Sequence, residues 1–412
     1  YDENGDLYEY VLQEAEIHLD PDGDGKPPAQ DDVFEKQPEL GNGTFAVDNT
    51  YSSVQGSLTF KKYLYLPLGD DGNPLAFPAI QFGVTREYLS YADNKTGTLT
   101  GETTVASPVW TSAQMKKAYD DLKKNSDEAY TPTENGYLQE VKLIEPESGS
   151  DNAVILAATF TVEDLDRYAP NGSEYQYTVT ENRSQLGGYD TWSGEGDPIT
   201  LDLDPYTAIE EAIQQNSNFV KATDDAQKVP VGGLGLTSNA EKGRGGTVEL
   251  EDRAIAASFI NRRMVEADQP KAQLTGSKVW EDYSDKYGFR PKALELTVNR
   301  FTAKPTYGEA ISENEWIHFT GGPEKNSTIY LDKNGNVLTP GPSDPTPPAN
   351  TVVTVTWTEE NNTWTYKLTG LEKYAPNGME WKYSIEETVE PEPANVSTDG
   401  IQYYTPSPSP AN

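Results

Sequence analysis

Residues 168–181 read YAPNGSEYQYTVTE, residues 374–387 read YAPNGMEWKYSIEE, and residues 1–14 read YDENGDLYEYVLQE. Each copy is a tyrosine, a turn containing Asn-Gly, and a strand of alternating apolar and polar residues. Each ends in a glutamate nine positions after the glycine. Asn-Gly ahead of period-two alternation is a hairpin signal, because the pair tolerates the positive φ angles of a tight turn. Along these strands Tyr177, Val179 and Glu181 share a face, as do Tyr10, Leu12 and Glu14, and Tyr383, Ile385 and Glu387. A core-facing carboxylate costs several kcal/mol unless it is paired or protonated. One such glutamate could be a strand end meeting water. Three at one offset predict a shared device.

Bulk composition narrows what that device serves. The chain has 412 residues, of which 35% are hydrophobic and 24% charged. That length predicts roughly two to four domains with real cores. Tyrosines (25) outnumber phenylalanines (11), as in twisted, half-exposed sheets. A net charge of −35 argues against nucleic acid as a partner and favours self-repulsion along an extended molecule. With no cysteine, disulfides and cysteine-ligated metals are excluded. No apolar run approaches the roughly 20 residues that span a bilayer, so no membrane insertion is expected in this segment. The first residues show no signal peptide and the last no anchor, so the chain reads as an excerpt.

Taken in order, the chain divides into units at 1–53, 54–266 and 267–412. The first opens in mid-phrase at Tyr1 and ends on TFAVDNTY (44–51), where Phe45, Val47 and Asn49 alternate on one face. Between them, DPDGDGKPPAQD places Asp20, Asp22, Asp24, Gly25 and Asp31 at positions one, three, five, six and twelve of an oxygen-ligand calcium loop. Prolines at 27 and 28 and an aspartate at the last position fit that loop poorly, and a solvated acidic turn is the plainer reading. In the second unit, GSLTFKKYLYLPLG puts Leu58, Phe60, Lys62 and Leu64 on one face, with Lys61 on the other as an ordinary solvated lysine. Helical spacing at 112–124 (Met115, Ala118, Tyr119, Leu122) and 206–221 (Ile209, Ala212, Ile213, Val220) predicts two amphipathic insertions packed on the sheet. The glycines of 230–246 match neither phosphate-loop spacing and read as a flexible loop. AIAASFIN (254–261) closes the unit with Ala257, Phe259 and Asn261 on one face. The third unit opens with Leu274, Gly276, Lys278 and Trp280 on one face.

The second unit therefore offers a core-facing lysine on its first strand, a glutamate on a later one and an asparagine on its last. A buried lysine loses affinity for its proton and becomes a nucleophile. A buried glutamate stays protonated and can polarise an amide carbonyl and shuttle protons. Held together, Lys62 would displace ammonia from Asn261 with help from Glu181, leaving an isopeptide bond without a cofactor. That is a single-turnover self-reaction, not enzymatic catalysis.

SKVWED (277–282) with the downstream GFRP (288–291), and YAPNGMEWKYSIEE, resemble the opening and the glutamate strand of the collagen-adhesin B-type (CnaB) domain of Gram-positive surface proteins and pilins. The resemblance implies an all-β fold of tandem β-sandwiches, immunoglobulin-like or prealbumin-like, the middle one carrying helical insertions. It also implies a Lys–Asn cross-link in each unit assisted by a glutamate. By position that gives Glu14 and Asn49 in the first unit, Lys62, Glu181 and Asn261 in the second, and Lys278 and Glu387 in the third. No apolar-alternating strand ending in Asn follows Glu387, so the last strand is expected beyond residue 412 or from another chain. The implied function is an extracellular, wall-attached or cell-surface stalk or pilus shaft, with neighbouring domains or subunits as partners. The alternative is an adhesin module whose insertions bind a host matrix protein or glycan. A hydrolase fits poorly, since His18 and His318 are the only histidines and neither lies near a serine nucleophile motif.

Overall fold

In a computed structural model the described residues are 10–12, 34–37, 39–41, 48–51, 55–90, 97–125, 129–132, 136–146, 152–171, 173–199, 204–214, 218–223, 226–232, 255–284, 286, 293–303, 305, 316–318, 327–332, 337–338, 352–358 and 362–387. The first unit contributes β1 (Tyr10–Leu12), β2 (Phe34–Gln37), β3 (Glu39–Gly41) and β4 (Asp48–Tyr51), paired β1 with β3 and β2 with β4. The segment 20–31 lies outside the described residues, as does Glu14. Asn49 lies on β4 opposite Lys36, and its side chain is outside the description.

The second unit contains β5 (Gln55–Pro67), β6 (Ile80–Ser90), β7 (Thr98–Ala106), β8 (Val109–Trp110), α1 (Ser112–Asn125), β9 (Leu138–Ile144), β10 (Ala153–Asp166), β11 (Tyr175–Asn182), β12 (Tyr189–Glu195), α2 (Pro205–Gln214), β13 (Val220–Lys221), β14 (Ala226–Gly232) and β15 (Ile255–Arg263). These strands build a six-stranded sheet, ordered β13-β12-β15-β5-β10-β9, and a five-stranded one in which β8 also pairs β6 in the row β14-β11-β6-β7. The chain is a mostly β protein, as its alternation predicts. Leu58, Phe60, Leu64, Phe160 and Phe259 from the first sheet meet Phe82, Val84, Tyr177 and Val179 from the second in one core. First and last strands, β5 and β15, lie side by side and parallel.

Both helices start on side-chain caps. Thr111 and Gln114 bond each other's backbone N–H (3.2 and 2.9 Å), a reciprocal capping box for α1. Asp204 accepts from the N–H groups of Tyr206 and Thr207, ahead of which Pro205 sits at a first-turn position. Met115, Ala118, Tyr119 and Leu122 are the buried face of α1, as their spacing predicts. α2 ends earlier than the periodicity suggests. Asn216, Ser217 and Asn218 follow in the sequence, residue types that favour caps and turns, and Val220 belongs to β13 with its side chain exposed.

A second correction concerns the outer face of β5. Tyr63 and Tyr65 are buried there against Ile209, Ala212, Phe219 and Ile260, so α2 covers the sheet and β5 is enclosed on both sides. Lys61 is consequently not a free surface lysine. Its Nζ lies 2.5 Å from Asp197, which also accepts the Tyr63 hydroxyl (2.5 Å). Burial and the Asp197 charge push the Tyr63 phenol well above its usual range. Tyr63→Phe is expected to cost about 1–3 kcal/mol in urea unfolding, since it leaves the half-buried carboxylate short of a donor. The start of the predicted 230–246 loop is also strand. Pro230 sits at a register shift in β14, where an edge position tolerates a residue without an N–H.

The third unit contributes β16 (Lys271–Val279), β17 (Ala293–Ala303), β18 (Trp316–His318), β19 (Ser327–Asp332), β20 (Val337–Leu338), β21 (Val352–Thr358), β22 (Thr363–Glu372) and β23 (Trp381–Glu387). They form a β16-β22-β21 sheet and a second sheet in which β17 pairs β18, β19 and β23. Trp280, Trp364, Leu368 and Leu371 form its described core.

Candidate functional site: a buried lysine, glutamate and asparagine

Lys62, Glu181 and Asn261 are all completely buried in the core of the second unit. β5 carries Lys62 inward because its even-numbered neighbours Phe60 and Leu64 must fill the sandwich. β11 carries Glu181 inward behind Tyr177 and Val179, in the facing sheet. β15 lies against β5 with Phe259 level with Lys62 and Asn261 two residues further along the same face. Two strands of one sheet thus carry the amine and the amide, and the other sheet holds the carboxyl opposite.

The surroundings are dry and aromatic. Phe82 is level with Glu181 across β6, and Phe60, Phe82, Phe160 and Phe259 pack ring on ring, with Phe60 and Phe160 stacked at 5.2 Å. Lys62 Nζ lies 2.8 Å from Glu181 Oε1. The contact is close in distance but poorly directed. Among the described residues, Lys62 Nζ, both Glu181 oxygens and both Asn261 polar atoms lack a partner in hydrogen-bond geometry. The neighbouring Thr191 hydroxyl, level with Asn261 on β12, also lacks one. Each such atom costs about 1–3 kcal/mol, and native interiors hold few of them.

Burial is the main influence on the Lys62 amine and pushes its pKa down to about 8. Glu181 works against that fall, and the positive charge of Arg183 adds to it. An amine so placed gives up its proton far more readily than a surface lysine.

The third unit repeats the backbone frame. Lys62 stands opposite Ala158 on β10, and Lys278 stands opposite Trp364 on β22, residues 206 apart like the two tyrosines that open the repeated phrase. Glu181 pairs with Phe82, and Glu387 with Leu296 on the corresponding strand. The enclosure differs. Lys278 is half-buried, its Nζ 4.9 Å from the centre of the Trp280 ring. The Glu387 side chain is outside the description, and among the described residues β16 pairs with β22 alone. The structure sets Lys62 against Glu181, with Asn261 buried on the strand beside Lys62, and leaves Glu14, Asn49 and the four aspartates of 20–31 without a described site.

Sequence reading missed Thr191 and Arg183. Alternation along β12 marks Tyr189, Thr191 and Ser193 as one buried face, which would have flagged Thr191. Arg183 lies past the end of β11, where periodicity says nothing.

No curated protein and no solved structure matches the chain. Two segments, residues 140–201 and 321–402, match the model of the Cna protein B-type domain. The first spans the Glu181 strand and the second the Glu387 strand, whereas Lys62, Asn261 and Lys278 fall outside both. Two copies of that glutamate strand, each in a matched segment and each paired with a neighbouring strand, are what the chain has in common with the Cna protein B-type domain.

Proposed function

We propose that the chain is a load-bearing segment of an extracellular, wall-associated fibre, an adhesin stalk or pilus shaft, whose second unit bonds Lys62 to Asn261. The observation that carries this reading is the enclosure of an amine, a carboxyl and an amide with unsatisfied polar atoms in an apolar interior. Lys62 passes a proton to Glu181, and the neutral amine attacks Cγ of Asn261. The Cγ–Nδ2 bond then breaks as Nδ2 takes that proton from Glu181 and leaves as ammonia, and Glu181 takes the second surplus proton from the attacking nitrogen. The product is a neutral amide whose donor and acceptor replace a charged pair. Glu181 ends holding one proton and the lysine is consumed, so the event occurs once per molecule, without a cofactor. Proximity in a fixed interior supplies most of the acceleration.

The mechanical sense follows from topology. β5 begins the unit and β15 ends it, and the two are parallel neighbours. Pulling the ends shears them past each other, and a covalent tie between them carries the load before any sheet opens. It does so in a chain that has no disulfide to use. No helix among the described residues is long and apolar enough to cross a membrane. Both insertion helices spend their apolar faces on the unit's own sheets, which suits reinforcement.

Intact-mass measurement tests the chemistry. One bond removes one ammonia, about 17 Da, and digestion should yield a branched peptide joining Lys62 to Asn261. An unshifted mass with only linear peptides would remove the mechanism.

A further inference from the structure

The third unit's copy of the repeated turn does more than start a strand. Ala375 N–H bonds to the Met379 carbonyl (2.8 Å), and the Asn377 side chain accepts from Met379 N–H and donates to Ala303. The second unit's turn makes the same bonds at Ala169, Ser173 and Asn171, the last donating to Leu89. The two turns are thus equally self-sufficient, yet they differ in cover. Pro170 is exposed, whereas Pro376, Asn377 and Gly378 are buried.

The second unit supplies the cover. The Tyr189 hydroxyl donates to the Pro376 carbonyl (2.7 Å), and Gly187 N–H donates to the Gly378 carbonyl (2.9 Å). A side chain at Gly187 would meet the Tyr374 ring at 2.1 Å, and one at Gly378, where φ is +83°, would meet the Gln185 carbonyl oxygen at 2.2 Å. The connecting segment is fastened at both ends. Met264 N–H and the Gln269 side chain both donate to the Gly188 carbonyl, and Lys373 N–H donates to that of Pro270. Tyr189 and Arg263 are level on β12 and β15, two residues from Thr191 and Asn261, so the contact sits at the exit end of the buried trio's strands.

We propose that the turn 374–379 is a docking key that locks the third unit onto the second, so that the two move as one rigid body. Domains joined by short segments ordinarily move relative to each other unless their interface holds them. Here the interface is specific, since it requires a glycine on each side and a tyrosine hydroxyl between them. The key acts independently of the Lys62–Asn261 bond.

The chain lacks cysteine, so two can be introduced cleanly, at the exposed Lys124 on α1 and Lys367 on β22. Nitroxide labels at Lys124→Cys and Lys367→Cys in the full chain should give one narrow distance distribution. Adding Gly187→Leu should broaden it at least twofold, and Tyr189→Phe should broaden it less while retaining the ring in the core. A broad distribution in the parent, or an unchanged width in Gly187→Leu, would overturn the proposal. If Gly187→Leu fails to fold, Tyr189→Phe decides alone, with an unchanged width counting against the key. Intact mass recorded on the same samples separates loss of the key from any failure of the cross-link.

Discussion

Asn261→Ala is expected to leave the intact mass unshifted and to lower the unfolding free energy of the second unit by about 5 kcal/mol. The figure is the chain entropy returned to the unfolded state when a closed loop of about 200 residues is opened. Lys62→Met should lose the same closure but should be the more stable of the two at neutral pH, because an apolar chain of similar length replaces the buried amine. The sign of the pH dependence follows from the amine. With Asn261 gone, Lys62 titrates at about 8 when folded and 10.5 when unfolded. Below 8 both states hold the proton and the penalty of burying it is complete. Between 8 and 10.5 the unfolded state binds more protons, so stability rises with pH. Asn261→Ala should therefore gain about 2 kcal/mol between pH 7 and 9.5 relative to Lys62→Met. Urea unfolding of both variants across that range checks it. Parallel pH profiles would show that Lys62 is not enclosed as described.

Period-two alternation made the trio legible. Lys62 follows Phe60 and precedes Leu64, Glu181 follows Val179, and Asn261 follows Phe259, so a polar residue in an apolar series stands out wherever one face is buried. The same logic failed on the outer face of β5. Tyr63 and Tyr65 look like half-exposed strand tyrosines until α2 is seen to lie on them. Their hydroxyls then need Asp197 and Glu210, residues far away in sequence with no local pattern. The end of α2 was misread because Val220 continues the helical spacing by coincidence, while its backbone pairs with Ser193. The Asn-Gly turn was read for its backbone freedom, and Gly378 does take φ +83°. Asn377 contributes instead through its side chain, which ties the turn to itself and to Ala303. The docking of that turn was invisible, because contact between units depends on glycines whose only signal is a missing side chain.

Glu181→Ala is expected to stop the cross-link at pH 7 and also at pH 9, and the second pH is the informative one. Burial and Arg183 lower the Lys62 pKa, and Glu181 is the influence that raises it. Removing the carboxyl should therefore leave the amine more readily neutral, and so a better nucleophile. If Glu181 served only as a counter-charge, the bond would form at least as fast without it, and faster still at pH 9. If it carries the proton from Nζ to the departing Nδ2, the variant should be slower by about 10²–10⁴-fold, the usual contribution of positioned acid–base groups. A time course of intact mass at the two pH values distinguishes these outcomes. Stability should fall by about 3–5 kcal/mol beyond the lost closure, because the amine stays buried without its partner. Glu181→Gln keeps the shape and the polar atoms but cannot relay a proton, so it should remain uncross-linked with a smaller loss of stability. Full loss of ammonia in either variant would hand the proton transfer to another group and reduce Glu181 to a packing residue.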